Sequence, residues 1–142
     1  MAGERDLTKL CSGMRPVMDG TVYVYCSFRN SSIPDGLKAS DVFFTFLEPE
    51  GLTAVVQKQT AMRLALPHLF EARLITLNVH SSLEAVGFLA TISAALAAAD
   101  IPCNVVSAYY HDHLFVPITR ADEAVRLLEA LRGTALTKPR DG

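Results

Sequence analysis

Residues 75–117, "ITLNVHSSLEAVGFLATISAALAAADIPCNVVSAYYHDHLFVP", decide the fold because their apolar pattern changes from strand to helix and back to strand. Ile75, Leu77 and Val79 alternate with polar residues, and this alternation predicts a strand that ends at His80. The polar positions of such a strand face away from the core. The stretch therefore begins with a half-buried strand.

A helix is predicted directly behind this strand. Ser81 and Glu84 have the spacing of a capping box, so we expect a helix over residues 82–99 that starts beside Ser81. Its inner stripe consists of Phe88, Leu89, Ile92, Ala95, Leu96 and Ala99. Residues 100–104, "DIPCN", then return the chain to a strand, which completes a β-α-β unit.

A hairpin and a last helix follow. Strands are predicted over residues 103–110 and 113–117, with the triplet His111-Asp112-His113 as the turn between them. We expect Thr119 to cap a final helix that packs the side chains of Ala124, Leu128 and Leu131. The tail after residue 136, "TKPRDG", is expected to fray. The βαββα order is that of a ferredoxin-like module, in which helices cover one face of an antiparallel sheet.

The N-terminal half repeats part of this order. Its predicted elements are a helix behind Asp6 that ends at Pro16, a strand over 22–28, a hairpin of strands 42–47 and 52–58, and a helix over 61–66. No crossover helix separates the first strand from the hairpin, so we expect the N-terminal helix to fill that place. The fold class predicted is α+β, with a displaced-helix module over residues 1–68 and a complete module over 69–142.

Composition excludes several classes of protein. The 142 residues are 50% hydrophobic and carry a formal net charge of -2, so a basic surface for nucleic acid is not expected. Three cysteines, Cys11, Cys26 and Cys103, form no C-x-x-C pair, which indicates reduced thiols rather than a disulfide framework or zinc site. The first residues lack the pattern of a secretory signal, and no apolar run is long enough to span a membrane. We therefore expect a cytoplasmic, soluble protein that has no membrane partner.

Four motifs carry a resemblance to a known family. "VHSSLEAVG" at 79–87 and "YYHDHLFVP" at 109–117 resemble the second half of small bacterial proteins built from two tandem ACT domains. "GTVYVYCSF" at 20–28 and "EPEGLTAVV" at 48–56 resemble their first half. The resemblance covers nearly the whole chain. It implies a non-catalytic regulatory module that binds a small molecule, most often an amino acid, at an interface between copies.

The ligand of an ACT domain lies near the loop from the first strand into the first helix, which the resemblance places at residues 79–87. The amides of residues 82–85 would attract a carboxylate there, although Ser81 and Glu84 could equally satisfy them as caps. Gly87 indicates a close approach by a ligand or a neighbouring element, and Asp112 would meet an ammonium group. The candidate ligand-binding residues are Ser81, Ser82, Leu83, Glu84, Ala85, Gly87, Asn104, Tyr110, Asp112 and His113.

Two other interpretations stay open. A structural or protein-interaction module without a small-molecule ligand would explain the same fold. A metal-binding protein would use His111 and His113, but only His80 and Asp112 could supply a further ligand. No catalytic residue and no cofactor is predicted, because the serines lie in capping or loop patterns without a nucleophile motif. We expect a homodimer with a possible regulated protein partner.

Overall fold

The structure is a computed structural model in which residues 2–137 are described. The chain forms two compact units. The large unit joins residues 1–19 to residues 73–142, and the small unit is residues 20–72. The frayed tail expected after residue 136 lies, from residue 138 onward, outside the described residues.

The helices and strands alternate along the chain. They are α1 (Leu7–Gly13), β1 (Arg15–Phe28), β2 (Val42–Glu48), β3 (Gly51–Gln57), α2 (Lys58–Arg63), β4 (Leu69–Asn78), α3 (Phe88–Ala98), β5 (Asn104–Ser107), β6 (Asp112–Pro117) and α4 (Ala121–Thr137). The α+β class predicted from the sequence is confirmed. Strands β1 and β4 are longer than predicted, and Pro16 lies inside β1 because α1 already ends at Gly13.

In the large unit, the strand order is β4-β6-β5, and helices α1, α3 and α4 share one core with this sheet. Strand β5 pairs with β6 in antiparallel register, from Asn104 opposite Phe115 to Ser107 opposite Asp112. Alternate residues of β6 point into the core, as the pattern predicts. The buried core includes Leu10, Cys11, Met14, Ile75, Leu77, Phe88, Ile92, Leu96, Leu114, Val116, Ala124 and Leu128.

In the small unit, the strand order is β2-β3-β1, with antiparallel pairing on both sides of β3. Residues 48–51 form the predicted turn between β2 and β3, where Glu48 lies opposite Gly51. Strand β2 shifts register between Val42 and Phe44. A small core holds this unit together, and it consists of Val24, Cys26, Leu37, Ala54, Val56 and Ala61.

Helix α1 does not fill the place of a missing crossover helix in the N-terminal module, so that prediction is wrong. Leu10 and Met14 are fully buried in the core of the large unit, beside α3 and α4. Each such side chain contributes about 1.5–3 kcal/mol when it leaves water, and this gain holds α1 there. The division of the sequence into modules at residue 68 stays a prediction. No helix in residues 2–137 is long and apolar enough to cross a membrane.

Candidate ligand-binding site

Residues 79–87 connect β4 to α3 as an irregular loop, not as the first turns of a helix. The Ser82 amide donates to the carbonyl oxygen of Glu4 at 2.9 Å, and the Ala85 amide donates to that of Ser82 at 3.0 Å. The Glu84 amide donates to Ser82 Oγ at 3.1 Å. The amides of Ser82, Glu84 and Ala85 thus already have partners within the protein, so the prediction of donors for a carboxylate does not hold for these three of the four residues 82–85.

The predicted capping box is also absent. Ser81 is 6% exposed and turns its hydroxyl toward the hairpin, where it meets Asp112. The Glu84 carboxylate instead lies 3.7 Å from the guanidinium of Arg5, with both side chains largely exposed. Tertiary partners for the loop therefore replace the local capping bonds that the sequence predicts.

Helix α3 begins at Phe88, and Gly87 is its N-cap. Gly87 has φ 92°, which is the left-handed region that costs another residue about 1–2 kcal/mol. The prediction that Gly87 lies inside the helix is therefore wrong, and the turn conformation explains the glycine. Gly87 has no side chain with which to cap the helix. The amides in the first turn of a helix have no partner within the helix itself.

Asp112 is the first residue of β6, and its carboxylate is almost fully buried, at 6% exposure. Ser107 Oγ donates to Oδ1 at 2.6 Å, and Ser81 Oγ donates to Oδ2 at 3.1 Å. Two hydroxyl donors offset the cost of removing a carboxylate from water. The prediction that Asp112 lies in a hairpin turn is wrong: the turn is residues 108–111, closed by the Ala108 amide on the carbonyl oxygen of His111 at 3.0 Å.

One cavity brings the carboxylate and the start of α3 together. Its volume is about 140 Å³. It is lined by Ser81, Ser82, Leu83, Ala85, Gly87, Phe88, Leu89, Ala90, Ser107 and Asp112. A negative carboxylate thus faces the same space as the positive end of a helix dipole. This arrangement complements a small molecule that carries one positive and one negative group.

Six of the ten residues chosen from the sequence line this cavity: Ser81, Ser82, Leu83, Ala85, Gly87 and Asp112. The other four lie elsewhere. Glu84 is beside Arg5, and Asn104 lies opposite Phe115 at the far end of the hairpin. The exposed ring of Tyr110 lies 5.1 Å from that of His80. Thr76 Oγ1 hydrogen-bonds with His113 Nδ1 at 3.0 Å.

Four cavity residues were missed in the sequence: Phe88, Leu89, Ala90 and Ser107. Phe88, Leu89 and Ala90 were not predicted because the sequence places the start of α3 at residue 82 rather than at Phe88. Ser107 could have been found from the hairpin register, because a turn at 108–111 places Ser107 directly opposite Asp112.

The two histidines of the triplet make hydrogen bonds to neighbouring groups. The ring of His111 donates through Nδ1 to the carbonyl oxygen of Val79 at 3.1 Å. Burial lowers the pKa of His113, and the charge on His111 lowers it further, while Asp112 acts in the opposite direction. Within residues 2–137, no cluster of three His, Cys, Asp or Glu side chains could hold a metal ion.

Comparison with known families identifies both halves of the chain. One family model, described as an ACT domain, matches residues 2–73, and a second ACT-domain model matches residues 69–130. This chain belongs to the ACT-domain family. The tandem ACT arrangement predicted from the sequence is confirmed, and membership supports a regulatory ligand-binding module.

Solved structures share this tandem ACT fold. A protein of unknown function from Vibrio cholerae, described as a possible transport protein, is 36% identical, with a TM-score of 0.75 over 89% of this chain and 95% of that chain. A protein from Agrobacterium tumefaciens is 15% identical, with a TM-score of 0.70 over 84% and 89%. The ligand-free regulatory subunit of aspartate kinase from Thermus thermophilus is 12% identical, with a TM-score of 0.59 over 82% and 95%. No curated protein sequence matches this chain.

Proposed function

We propose that this ACT protein is a non-catalytic regulatory module that binds a free amino acid in the cavity between Asp112 and the start of α3. The observation that carries the proposal is the buried Asp112 carboxylate, which lines the same cavity as the uncapped end of α3. The carboxylate would bind the ammonium group of the amino acid. The first-turn amides of α3 would bind its carboxylate, because helix starts favour anions.

The rest of the cavity favours a small, uncharged side chain. Its apolar wall includes Leu83, Ala85 and Leu89, and its volume is about 140 Å³. A charged side chain would leave water there without a partner, which is costly. Alanine, serine and glycine are therefore the first amino acids to test.

Binding is tested by thermal unfolding in the presence of each proteinogenic amino acid in turn. A ligand that binds only the folded chain raises the unfolding midpoint by mass action. We expect one or a few small amino acids to do so. No shift with any amino acid would contradict the proposal.

Asp112→Asn tests the charge of the carboxylate. The asparagine side chain keeps the shape of the aspartate and one acceptor oxygen, but it loses the ion pair with the ammonium group. Charge-assisted hydrogen bonds contribute about 1.5–3 kcal/mol, so calorimetric titration should show affinity at least tenfold weaker. The control is Asp35→Asn, which changes an exposed carboxylate of the small unit and should bind like the wild type. Equal affinity in Asp112→Asn and the control would exclude Asp112 from the site.

A protein-interaction module is the second candidate. Edge strand β2 exposes three large apolar side chains: Phe43 at 51%, Phe46 at 62% and Leu47 at 64%. Such exposed apolar surface is typical of an interface. A stable oligomer that responds to no amino acid would favour this second function.

The proposed setting is a cytoplasmic homodimer, with a possible regulated protein partner. Cys11, Cys26 and Cys103 are thiols rather than members of a disulfide, and Cys11 and Cys26 are buried. Reduced thiols agree with a reducing compartment.

A further inference from the structure

The N-terminal residues 2–4 lie against the loop that carries Ser81. The Glu4 amide donates to the carbonyl oxygen of His80 at 2.8 Å, and the carbonyl oxygen of Glu4 accepts from the Ser82 amide at 2.9 Å. The two bonds form a parallel β-bridge between Glu4 and Ser81. Ser81 is thereby held through its backbone on one side and through its hydroxyl, by Asp112, on the other.

Gly3 makes this contact sterically possible. A Cβ atom at Gly3 would lie 2.6 Å from the carbonyl oxygen of His80 and 2.7 Å from the nitrogen of Ser82. Both neighbours are backbone atoms, so they cannot move aside as a flexible side chain would. A residue larger than glycine would have to push residues 2–4 away from the loop.

The other end of this segment is fixed to the core. The Glu4 carboxylate accepts the amides of Arg5 and Asp6 at 3.0 and 2.9 Å, and the Asp6 carboxylate caps α1 by accepting the Lys9 amide at 2.9 Å. Helix α1 then buries Leu10 in the large-unit core. The loop is thus connected through a short turn to a helix whose Leu10 and Cys11 are buried.

We propose that residues 2–4, which we name the N-terminal strap, position Ser81 against Asp112 and so set the geometry of the ligand site. The effect of the strap on ligand binding rests on the proposed function, whereas the contact between the strap and the loop does not depend on it. Releasing the strap frees the backbone of loop 79–87, and the Ser81 hydroxyl then no longer has a fixed position relative to Asp112. By linkage, a ligand that binds at Asp112 also stabilises the contact between the strap and loop 79–87.

Hydrogen exchange in the ligand-free protein tests whether the strap holds the loop. Gly3→Ala and deletion of residues 2–4 should each speed exchange of the Ser82 amide at least tenfold while leaving the β6 amides unchanged. The matched control is Gly20→Ala, because a Cβ there meets no atom within 4 Å. Unchanged Ser82 exchange in both strap variants would overturn the proposal.

A double-mutant cycle tests whether the strap acts through Ser81. Ser81→Ala removes the hydroxyl that donates to Asp112. If the strap positions that hydroxyl, the shift in unfolding midpoint caused by Ser81→Ala should be about halved or less in the Gly3→Ala background. Additive shifts would show that the strap and Ser81 are independent, and they would overturn the proposal.

A third measurement separates this inference from the proposed function. L-alanine and L-serine are titrated into wild type, Gly3→Ala and Gly20→Ala. Binding to wild type and Gly20→Ala that weakens at least tenfold in Gly3→Ala supports the strap's role at the site, and equal binding in all three overturns it. If neither amino acid binds the wild type, that result counts against the proposed function, and the mutant cycle still decides the strap.

Discussion

At the scale of single residues, His113 gives the molecule a pH-dependent stability. Burial and the charge of His111 lower the pKa of His113, and Asp112 offsets only part of this effect. An unfolded histidine has a pKa of about 6.5, so below that pH the unfolded chain binds a proton that the folded chain resists. The stabilising contribution is therefore complete above about pH 6.5 and is lost as the pH falls toward the lowered value.

His113→Asn should flatten this dependence. The amide replaces the ring nitrogen that meets Thr76, but it does not titrate. Unfolding midpoints between pH 7.5 and 5 should fall less steeply in His113→Asn than in the wild type. The same slope in His113→Asn and in the wild type would contradict this assignment.

At the scale of elements, the start of α3 depends on a left-handed glycine. Gly87→Ala forces φ 92° on a residue with a Cβ, and this should lower the free energy of unfolding by about 1–2 kcal/mol. The added methyl would meet Leu7 at 3.7 Å, an ordinary contact, so strain rather than crowding is expected. Gly133→Ala, inside α4 with no atom near the added methyl, should instead stabilise by about 0.5–1 kcal/mol. Denaturant titration that gives both variants the same sign of change would refute this account.

The same element shows what the sequence could and could not predict. The helix cap at Asp6 and the hairpin turn at 48–51 were predictable, because each depends on residues close together in the chain. Ser81 and Glu84 have the correct spacing for a capping box, but their side chains contact Asp112 and Arg5 instead. Those partners are distant in sequence, so no local pattern reports them.

The sequence predicts a site at residues 79–87 and a turn carboxylate at Asp112. Six of the ten predicted residues line one cavity, but their geometry differs from the prediction. In the structure, the register of β5 and β6 places Asp112 outside the turn, at a buried position of the strand. A shift of one or two residues at a hairpin changes which side chain faces the cavity, and turn chemistry alone did not fix it.

At the scale of the whole molecule, the exposed edge strand predicts self-association. Among residues 2–137, strand β2 pairs only with β3, and Phe46 and Leu47 on it are more than half exposed. Unpaired edges with apolar side chains pair readily with another chain. We expect light scattering at micromolar concentration to give twice the chain mass of 15.4 kDa.

Phe46→Lys should shift this assembly toward the monomer, because a charged side chain opposes burial of the edge. Met62→Lys is the control, since Met62 is 64% exposed but lies outside β2. A monomer in the wild type would remove the prediction. A dimer that persists in Phe46→Lys would show that the interface does not include the edge strand β2.

Because α1 belongs to the large unit, the segments of that unit are synthesised both before and after the small unit. The small unit is one continuous segment, residues 20–72, and its core cluster consists of residues from within that segment. The core of the large unit contains Leu10 from before this segment and Leu128 from after it, so α1 is synthesised before the helix α4 that packs in the same core. During synthesis the small unit can therefore fold before the large unit is complete. The apolar face of α1 stays exposed until α4 has been synthesised.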